Sequence, residues 1–395
     1  MTLLAAVGKA QSLNATEAAS LATDQALNQI GRHPIVLAII AAPHDYPVKQ
    51  VVDGVAGLLS DTILLGFSTP AQLTHEGMHQ RSIAVALIAG DQVQASASCW
   101  ERSDGSRLTG TLQASKIMQS KKSVQKALLV IADGLNGDAS EILYSIPSGN
   151  FKLGGCLTGG DPDHAHSFQI GGSQFSNTGV AEVMLGGELN VGIGSNHGWQ
   201  PIGVFMRISQ SKELRLQTLD GRRASEAYSR LFGYPARDWN YPPLNHLVRL
   251  YPLGLENEDF ESNHQISYLV RSPVGIESDG SFRMNPGVPQ GKTAHILVSS
   301  VDNCIAAAKL AARQALEDLG QAKPVLGLVF ADIAWQMMMQ AQPGSEVDAI
   351  RDVLGYDLPI IGGYSLGQFN RSPSGNPELL NQHLQVVLFG DPHGS

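Results

Sequence analysis

The sequence predicts an α/β protein of layered mixed sheets covered by helices, and three observations carry that expectation. Short apolar runs recur along the whole chain, each long enough for a buried strand and too short for a membrane helix. Between them lie stretches with apolar residues at three- and four-residue spacing. In Val301–Leu319, for example, Ile305, Ala308, Ala312, Ala315 and Leu319 share one helical face. Finally, the 42 glycines among 395 residues supply tight turns, several of them directly inside or after an apolar run. Strands that are apolar on both faces need helices or a second sheet on each side.

Taken in order, the elements read as one unit occurring three times. The helical stretch Ala15–Ile30 precedes the strand Ile35–Ile40, the helical segment Val51–Leu59, the strand Ile63–Thr69 and the strand Ile83–Ile88. A second copy has the strand Ala127–Asp133, the segment Ala139–Tyr144, the strand Lys152–Cys156 and the strand Val180–Leu185. The third has the helix Val301–Leu319, the strand Val325–Asp332, the segment Glu346–Leu354, the strand Pro359–Tyr364 and the strand Leu384–Phe389. Strand-rich insertions separate the last two copies: Val191–Ser209, Leu214–Leu219, Ile266–Arg271 and His295–Ser300. The prolines at 235, 242 and 243 mark a linker or turn, and the chain is divided into residues 1–215 and 216–395.

Composition narrows the function. Twenty-seven basic against 36 acidic residues give a net charge of −9, which argues against non-specific binding to nucleic acid or anionic lipid. The pairs Lys121-Lys122 and Arg222-Arg223 are isolated and read as solvated surface. Only 16% of residues are charged and 43% are hydrophobic, which excludes a disordered or coiled-coil chain. Cys99, Cys156 and Cys304 have no short spacing, so neither a disulfide framework nor a CxxC zinc site is expected, and a reducing compartment suits them. No signal peptide or membrane span is read, and the expected location is cytoplasmic.

Three enzyme-like motifs fail on context. His75-Glu76-Gly77-Met78-His79 fits HExxH, whose chemistry requires a helix to bring both histidines to one metal, yet Pro70 and Gly77 favour a polar loop. Gly363-Tyr364-Ser365-Leu366-Gly367 fits G-x-S-x-G, but the Asn370–Pro377 stretch after it cannot form the helix of a nucleophile elbow. Asp161, Asp163, His164 and His166 gather metal-ligand types in a short loop without further support. Gly192-Ile-Gly-Ser-Asn-His-Gly198 has the wrong spacing for a dinucleotide turn. No catalytic residue and no metal site is assigned, and the protein is expected not to be an enzyme.

Binding is the more natural reading. In open α/β sheets ligands sit at the carboxyl ends of strands, and the glycine turns fall there: Gly66–Thr69, Gly154-Gly155 and Gly362-Gly363. Their backbones approach a ligand closely, and Ser68, Thr69, Thr158 and Ser365 add hydroxyls. The expectation is that the three corners converge around a shared hollow.

At this point the chain resembles the FIST family of sensory proteins. The resemblance runs through Leu65-Gly-Phe-Ser-Thr69, Leu153-Gly-Gly-Cys156 with Asp161, the Asn196–Gly203 segment with its His-Gly-Trp, and Leu219–Tyr228. It continues in Tyr268–Arg271, Asp279-Gly280, Val288–Gly291, Ile361–Tyr364 and the closing Asn381–Gly390 strand, so residues 1–215 are FIST N-like and 216–395 FIST C-like. The chain departs from the family at Ala331-Asp-Ile-Ala-Trp335, where a Cys and an Arg are common, and at Gly367-Gln368 in place of Gly-Glu.

The resemblance implies a small-ligand sensory module, with an amino acid or related metabolite as ligand and a separate signalling partner such as a histidine kinase or cyclic-dinucleotide enzyme. An alternative from the same resemblance is a haem-binding nitric oxide sensor. Haem requires an axial ligand, and none of the 12 histidines is singled out. The expected ligand contacts are Ser68, Thr69, Gly154, Gly155, Gly362, Gly363 and Ser365 at the turns, Arg271 pairing a ligand carboxylate, and His197 and Trp199 lining the pocket.

Overall fold

The computed structural model describes residues 3–101, 124–146, 149–159, 166–241, 244–256 and 268–394. The first run of elements is β1 (Leu4–Ala10), α1 (Ala15–Ile30), β2 (Ile35–Pro43), α2 (Val48–Ala56), β3 (Ile63–Thr69), the hairpin β4 (Gln72–Thr74) and β5 (Gly77–His79), and β6 (Ile83–Ala89). The second is β7 (Val93–Glu101), β8 (Gln125–Asp133), α3 (Ser140–Leu143), β9 (Lys152–Thr158), the hairpin β10 (Gln169–Gly171) and β11 (Gln174–Ser176), and β12 (Gly179–Gly187).

After β13 (Asn190–Asn196) comes an insertion: β14 (Gln200–Lys212), β15 (Arg215–Leu219), β16 (Arg222–Arg223), α4 (Ala224–Phe232), α5 (Leu244–Leu247), β17 (Leu253–Glu256), β18 (Tyr268–Arg271), β19 (Pro273–Ile276), β20 (Phe282–Met284) and β21 (Thr293–Val298). The chain closes with α6 (Val301–Leu319), β22 (Lys323–Asp332), α7 (Ile333–Met338), α8 (Ser345–Leu354), β23 (Ile360–Ser365), the hairpin β24 (Gly367–Arg371) and β25 (Pro377–Leu380), and β26 (Leu384–Asp391).

Among the described residues the strands form three six-stranded sheets with one common order. They run β1-β6-β2-β3-β10-β11, β7-β12-β8-β9-β24-β25 and β13-β26-β22-β23-β4-β5. Each has one central parallel pair, β2 with β3, β8 with β9 and β22 with β23, and antiparallel neighbours outside it. Each hairpin leaves its own sheet and completes another: β4–β5 joins β23, β10–β11 joins β3, and β24–β25 joins β9. The insertion forms an eight-stranded sheet of its own around Tyr228, Trp239 and Phe282.

Period-two side-chain alternation explains why these strands are apolar throughout. On β2, Leu37, Ile39 and Ala41 enter a central core shared with Leu129 and Ile131 of β8 and Leu328 and Phe330 of β22. Ala38, Ile40 and Ala42 point the other way, onto the alanine face of α1. Phe67 and Phe330 meet edge to face at 5.3 Å in the centre, joining the first and third sheets.

The long helices begin and end where the sequence dictates. Asn14 caps α1 by accepting from Glu17 N at 3.0 Å, and Ser300 caps α6 by accepting from Asn303 N at 3.2 Å. Gly31 and Gly320, at φ 72° and 75°, end them. Among the described residues no helix is long and apolar enough to cross a membrane.

Candidate functional site

The carboxyl ends of β22 and β23 gather the most buried polar chemistry. Asp332, the last residue of β22, is 2% exposed and caps α7 by accepting from Ala334 N at 3.0 Å. Its second oxygen accepts from Gln382 N at 2.9 Å, and its own N–H donates to His383 O at 2.9 Å. Gln382 holds the left-handed conformation at φ 63°. Its side-chain amide donates to Ser272 Oγ at 2.7 Å and Arg249 O at 2.8 Å, and its backbone carbonyl accepts from Trp335 Nε1 at 2.9 Å. One carboxylate and one glutamine therefore clamp β26, α7 and the insertion together. Burial pushes the Asp332 carboxyl up, opposed by the N–H groups of Ala334 and Gln382 and the charge of Arg249. Burial also lowers Arg249, to about 10.

Around this clamp stand three of the residues expected from the sequence. His197 Nδ1 accepts from Trp199 N at 3.2 Å, and its ring faces that of His383. Burial holds His197 down to about 4. His383, whose Nδ1 donates to Asn381 O at 2.8 Å, lies well below the ordinary histidine range through burial and the charges of His197 and Arg271. Trp199 is 3% exposed and its indole N–H has no partner among the described residues. Arg271 is also buried, and its Nη1 donates to the carbonyls of Leu379 and Val270, each at 3.0 Å, so backbone oxygens hold that nitrogen.

The three corners do meet, and protein atoms fill the places where they do. Thr69 Oγ1 accepts from Tyr364 N at 2.8 Å, which sets the first corner against the third. A Cβ at Gly363 would strike the Thr69 side chain, one at Gly362 the Val329 carbonyl, and one at Gly155 the Val130 carbonyl. Gly155, at φ 133°, also donates to Gln385 Oε1 at 3.1 Å, and Gly154 packs against Val387 and Ile193. Ser68 Oγ accepts from Phe168 N at 2.9 Å. Ser365 Oγ donates to Ala331 O at 3.2 Å and accepts from Gln368 Nε2 at 3.0 Å. These glycines and hydroxyls knit the sheets together.

Sequence reasoning missed the glutamines that complete the corners. Gln72 and Gln169 open their exchanged hairpins and Gln368 is second in its own, opposite Gly363, Phe67 and Cys156 respectively. Gln169 donates to Thr158 Oγ1 at 2.7 Å as Gln368 does to Ser365, and Gln72 accepts from Ser82 Oγ at 3.0 Å. The available signal was a Ser or Thr followed by Gln at the start of the next polar segment.

Open space lies one residue along, at Tyr364. Beside α7 is a pocket of about 250 Å³ whose floor is Ile333 and Tyr364. Met78 of the β4–β5 hairpin, with Met337 and Met339, supplies thioether walls. Gln80, Gln336 and Gln340 form a polar border, and Pro343 completes the lining. Tyr364 is 1% exposed, and its hydroxyl donates to a carboxylate oxygen of Glu346. Burial raises that carboxyl.

The enzyme-like motifs resolve into strands. His75 and Glu76 occupy the β4–β5 turn, with His79 on β5, so the two histidines share no helical face. Ser365 is followed by β24 in place of a helix. Asp161, Asp163 and His164 lie outside the described residues, and among the described residues no group of three or more His, Cys, Asp or Glu is placed to hold a metal.

Two family models match the chain, the FIST N domain over residues 35–222 and the FIST C domain over 224–371. The chain belongs to the FIST family. No curated protein matches it. Among solved structures, this FIST chain is similar to a cyanuric acid hydrolase from A. caulinodans at 10% identity and a TM-score of 0.38, covering 99% of this chain and 100% of that one. A second cyanuric acid hydrolase gives 9% and 0.35, covering 98% and 100%, and a chorismatase gives 9% and 0.34, covering 99% of both chains. FIST domains are associated with sensory signalling and ligand binding.

Proposed function

We propose that this FIST chain is a small-ligand sensory protein without catalytic output of its own, and that its ligand enters the pocket beside α7. The observation that carries the reading is the pocket's ancestry. Met78 comes from the stretch matched by the FIST N model, whereas Ile333, Met337 and Tyr364 come from the stretch matched by the FIST C model. An occupant bridges the two and favours the conformation in which they are closed on each other, a population shift that a second protein can read. The Asp332 clamp connects the start of α7 to the insertion, so a displacement of α7 is transmitted beyond the pocket. The partner is a separate signalling protein in the cytoplasm, of the histidine kinase or cyclic-dinucleotide enzyme type that the family resemblance implies.

Haem does not fit this pocket. About 250 Å³ falls below the range of roughly 300–1,000 Å³ typical of larger ligands, and among the described residues no His or Cys lines it, which leaves only thioethers as axial candidates. The Tyr364 hydroxyl is engaged by Glu346.

Native mass spectrometry of the protein after incubation with a low-molecular-weight metabolite extract tests the proposal. A bound small molecule is expected in the parent protein and not in Met337→Trp or Gln340→Trp, which fill the pocket from its wall and its border. Equal retention by parent and both variants would move the ligand elsewhere and overturn the reading.

A further inference from the structure

The pocket beside α7 has a chemistry that selects its occupant. Among the described residues no lining residue carries a charge, and Tyr364 is the only ionisable one. Glu76 in the turn of the adjoining hairpin is paired with Lys9 of β1 at 2.6 Å, so these two charges match each other. The amides of Gln80, Gln336 and Gln340 hold no hydrogen bond among the described residues, which leaves donors and acceptors of a neutral kind at the border. Three thioethers face the same space, and sulfur makes favourable contacts with aromatic rings.

Resting on the pocket assignment above, we infer that the ligand is a small, uncharged, planar aromatic molecule with an amide-like polar edge. Its ring lies among Met78, Met337 and Met339 over Tyr364, and its edge pairs with the border glutamines. Primary amides of glutamine donate and accept at once, so they complement an amide or a lactam edge. A carboxylate, an ammonium or an amino-acid zwitterion would enter without a countercharge, and an unpaired charge loses its hydration uncompensated. The volume admits one ring or a fused pair and little more.

Benzamide, benzoate and benzamidine share one shape and differ in charge, which isolates the claim. Titration calorimetry on the full chain is expected to show benzamide binding in roughly the millimolar range usual for a fragment of this size. Benzoate and benzamidine are expected at least tenfold weaker, and cyclohexanecarboxamide roughly threefold weaker for want of a π-face. Gln340→Trp and Met337→Trp should each abolish benzamide binding, the former at the exposed border where folding is least disturbed. If benzoate or benzamidine binds as tightly as benzamide and is blocked by the same variants, the ligand class is overturned while the pocket stands. If none of the probes binds at millimolar concentration, or binding survives both variants, the ligand class and the pocket assignment fall together.

Discussion

The imidazoles of His197 and His383 meet edge to face with centroids 4.7 Å apart. The pair joins the end of β13 to the start of β26, where the insertion leaves the sheet it interrupts. Both rings are held neutral by burial, His197 down to about 4 and His383 further still. Unfolded histidine titrates near 6.5, so between about 6.5 and 4 the unfolded chain binds more protons than the folded one. Stability must therefore fall as pH falls through that window and be insensitive to these groups above it. His197 alone is expected to contribute on the order of 2 kcal/mol of this loss after allowing for its partial exposure. Urea unfolding measured from about pH 7 to 4.5 checks it. The profile of His197→Phe should be flatter than that of the parent, and an unchanged slope would remove the pair from the account.

The Tyr364–Glu346 contact makes the opposite prediction. Glu346 is fully buried, and its second carboxylate oxygen has no partner among the described residues. Its folded pKa is raised chiefly by burial, so its stabilisation is complete below the unfolded value near 4.5 and lost as pH rises through the folded value. Glu346→Gln keeps an acceptor for the tyrosine and removes the titration, so it should gain on the parent as pH rises. Tyr364→Phe removes the side-chain donor to this buried carboxyl and should cost about 1–3 kcal/mol. Thermal melts of the parent and both variants at acid and neutral pH separate these outcomes.

Asp332 is expected to be the least replaceable carboxylate in the molecule. Asp332→Ala removes the cap of α7, leaves the buried N–H of Gln382 without its partner and takes away a negative charge that favours the buried Arg249 cation. A lost cap costs about 1 kcal/mol and an orphaned buried donor about 1–3 kcal/mol more. Urea unfolding should show a loss of roughly 2–4 kcal/mol. A change below about 0.5 kcal/mol would mean that the clamp closes without its carboxylate.

Much of this fold was legible because burial on both faces leaves a mark that pairing does not. Ile35–Ile40, Ala127–Asp133 and Val325–Asp332 read as strands, and they are the strands whose alternate side chains enter two different cores. What periodicity cannot carry is the partner. Nothing in Gln72–His79 announces that this hairpin pairs with β23, nearly 300 residues away. The site suffered for the same reason. The glycines read as turns lie inside β3, β9 and β23, where they let neighbouring backbone and side chains approach closely, and the pocket opens at Tyr364, between Gly363 and Ser365, because the hairpin carrying Met78 arrives from elsewhere. Asp332 followed by Ile333-Ala-Trp335 was a capping signal for α7, and Met337-Met338-Met339 marked its soft face.

The corner glycines offer the sharpest separation of packing from ligand contact. Gly362 lies opposite Val329 in the parallel pair of β22 with β23, and Gly327 lies in the same pair opposite Ile360. A Cβ at Gly362 would overlap the Val329 carbonyl, whereas one at Gly327 would meet Ile360 Cγ1 at 3.5 Å, an ordinary contact. Backbone cannot yield here without parting the two strands, so Gly362→Ala should cost more than about 3 kcal/mol or fail to accumulate as soluble protein. Gly327→Ala should stay within about 0.5 kcal/mol of the parent, or gain slightly by restricting the unfolded chain. Melting temperatures of the two variants give the comparison directly. Were Gly362→Ala to fold with parental stability and yet lose benzamide binding, Gly362 would be a ligand contact, and the close approach of β22 and β23 would not be what the glycine is for.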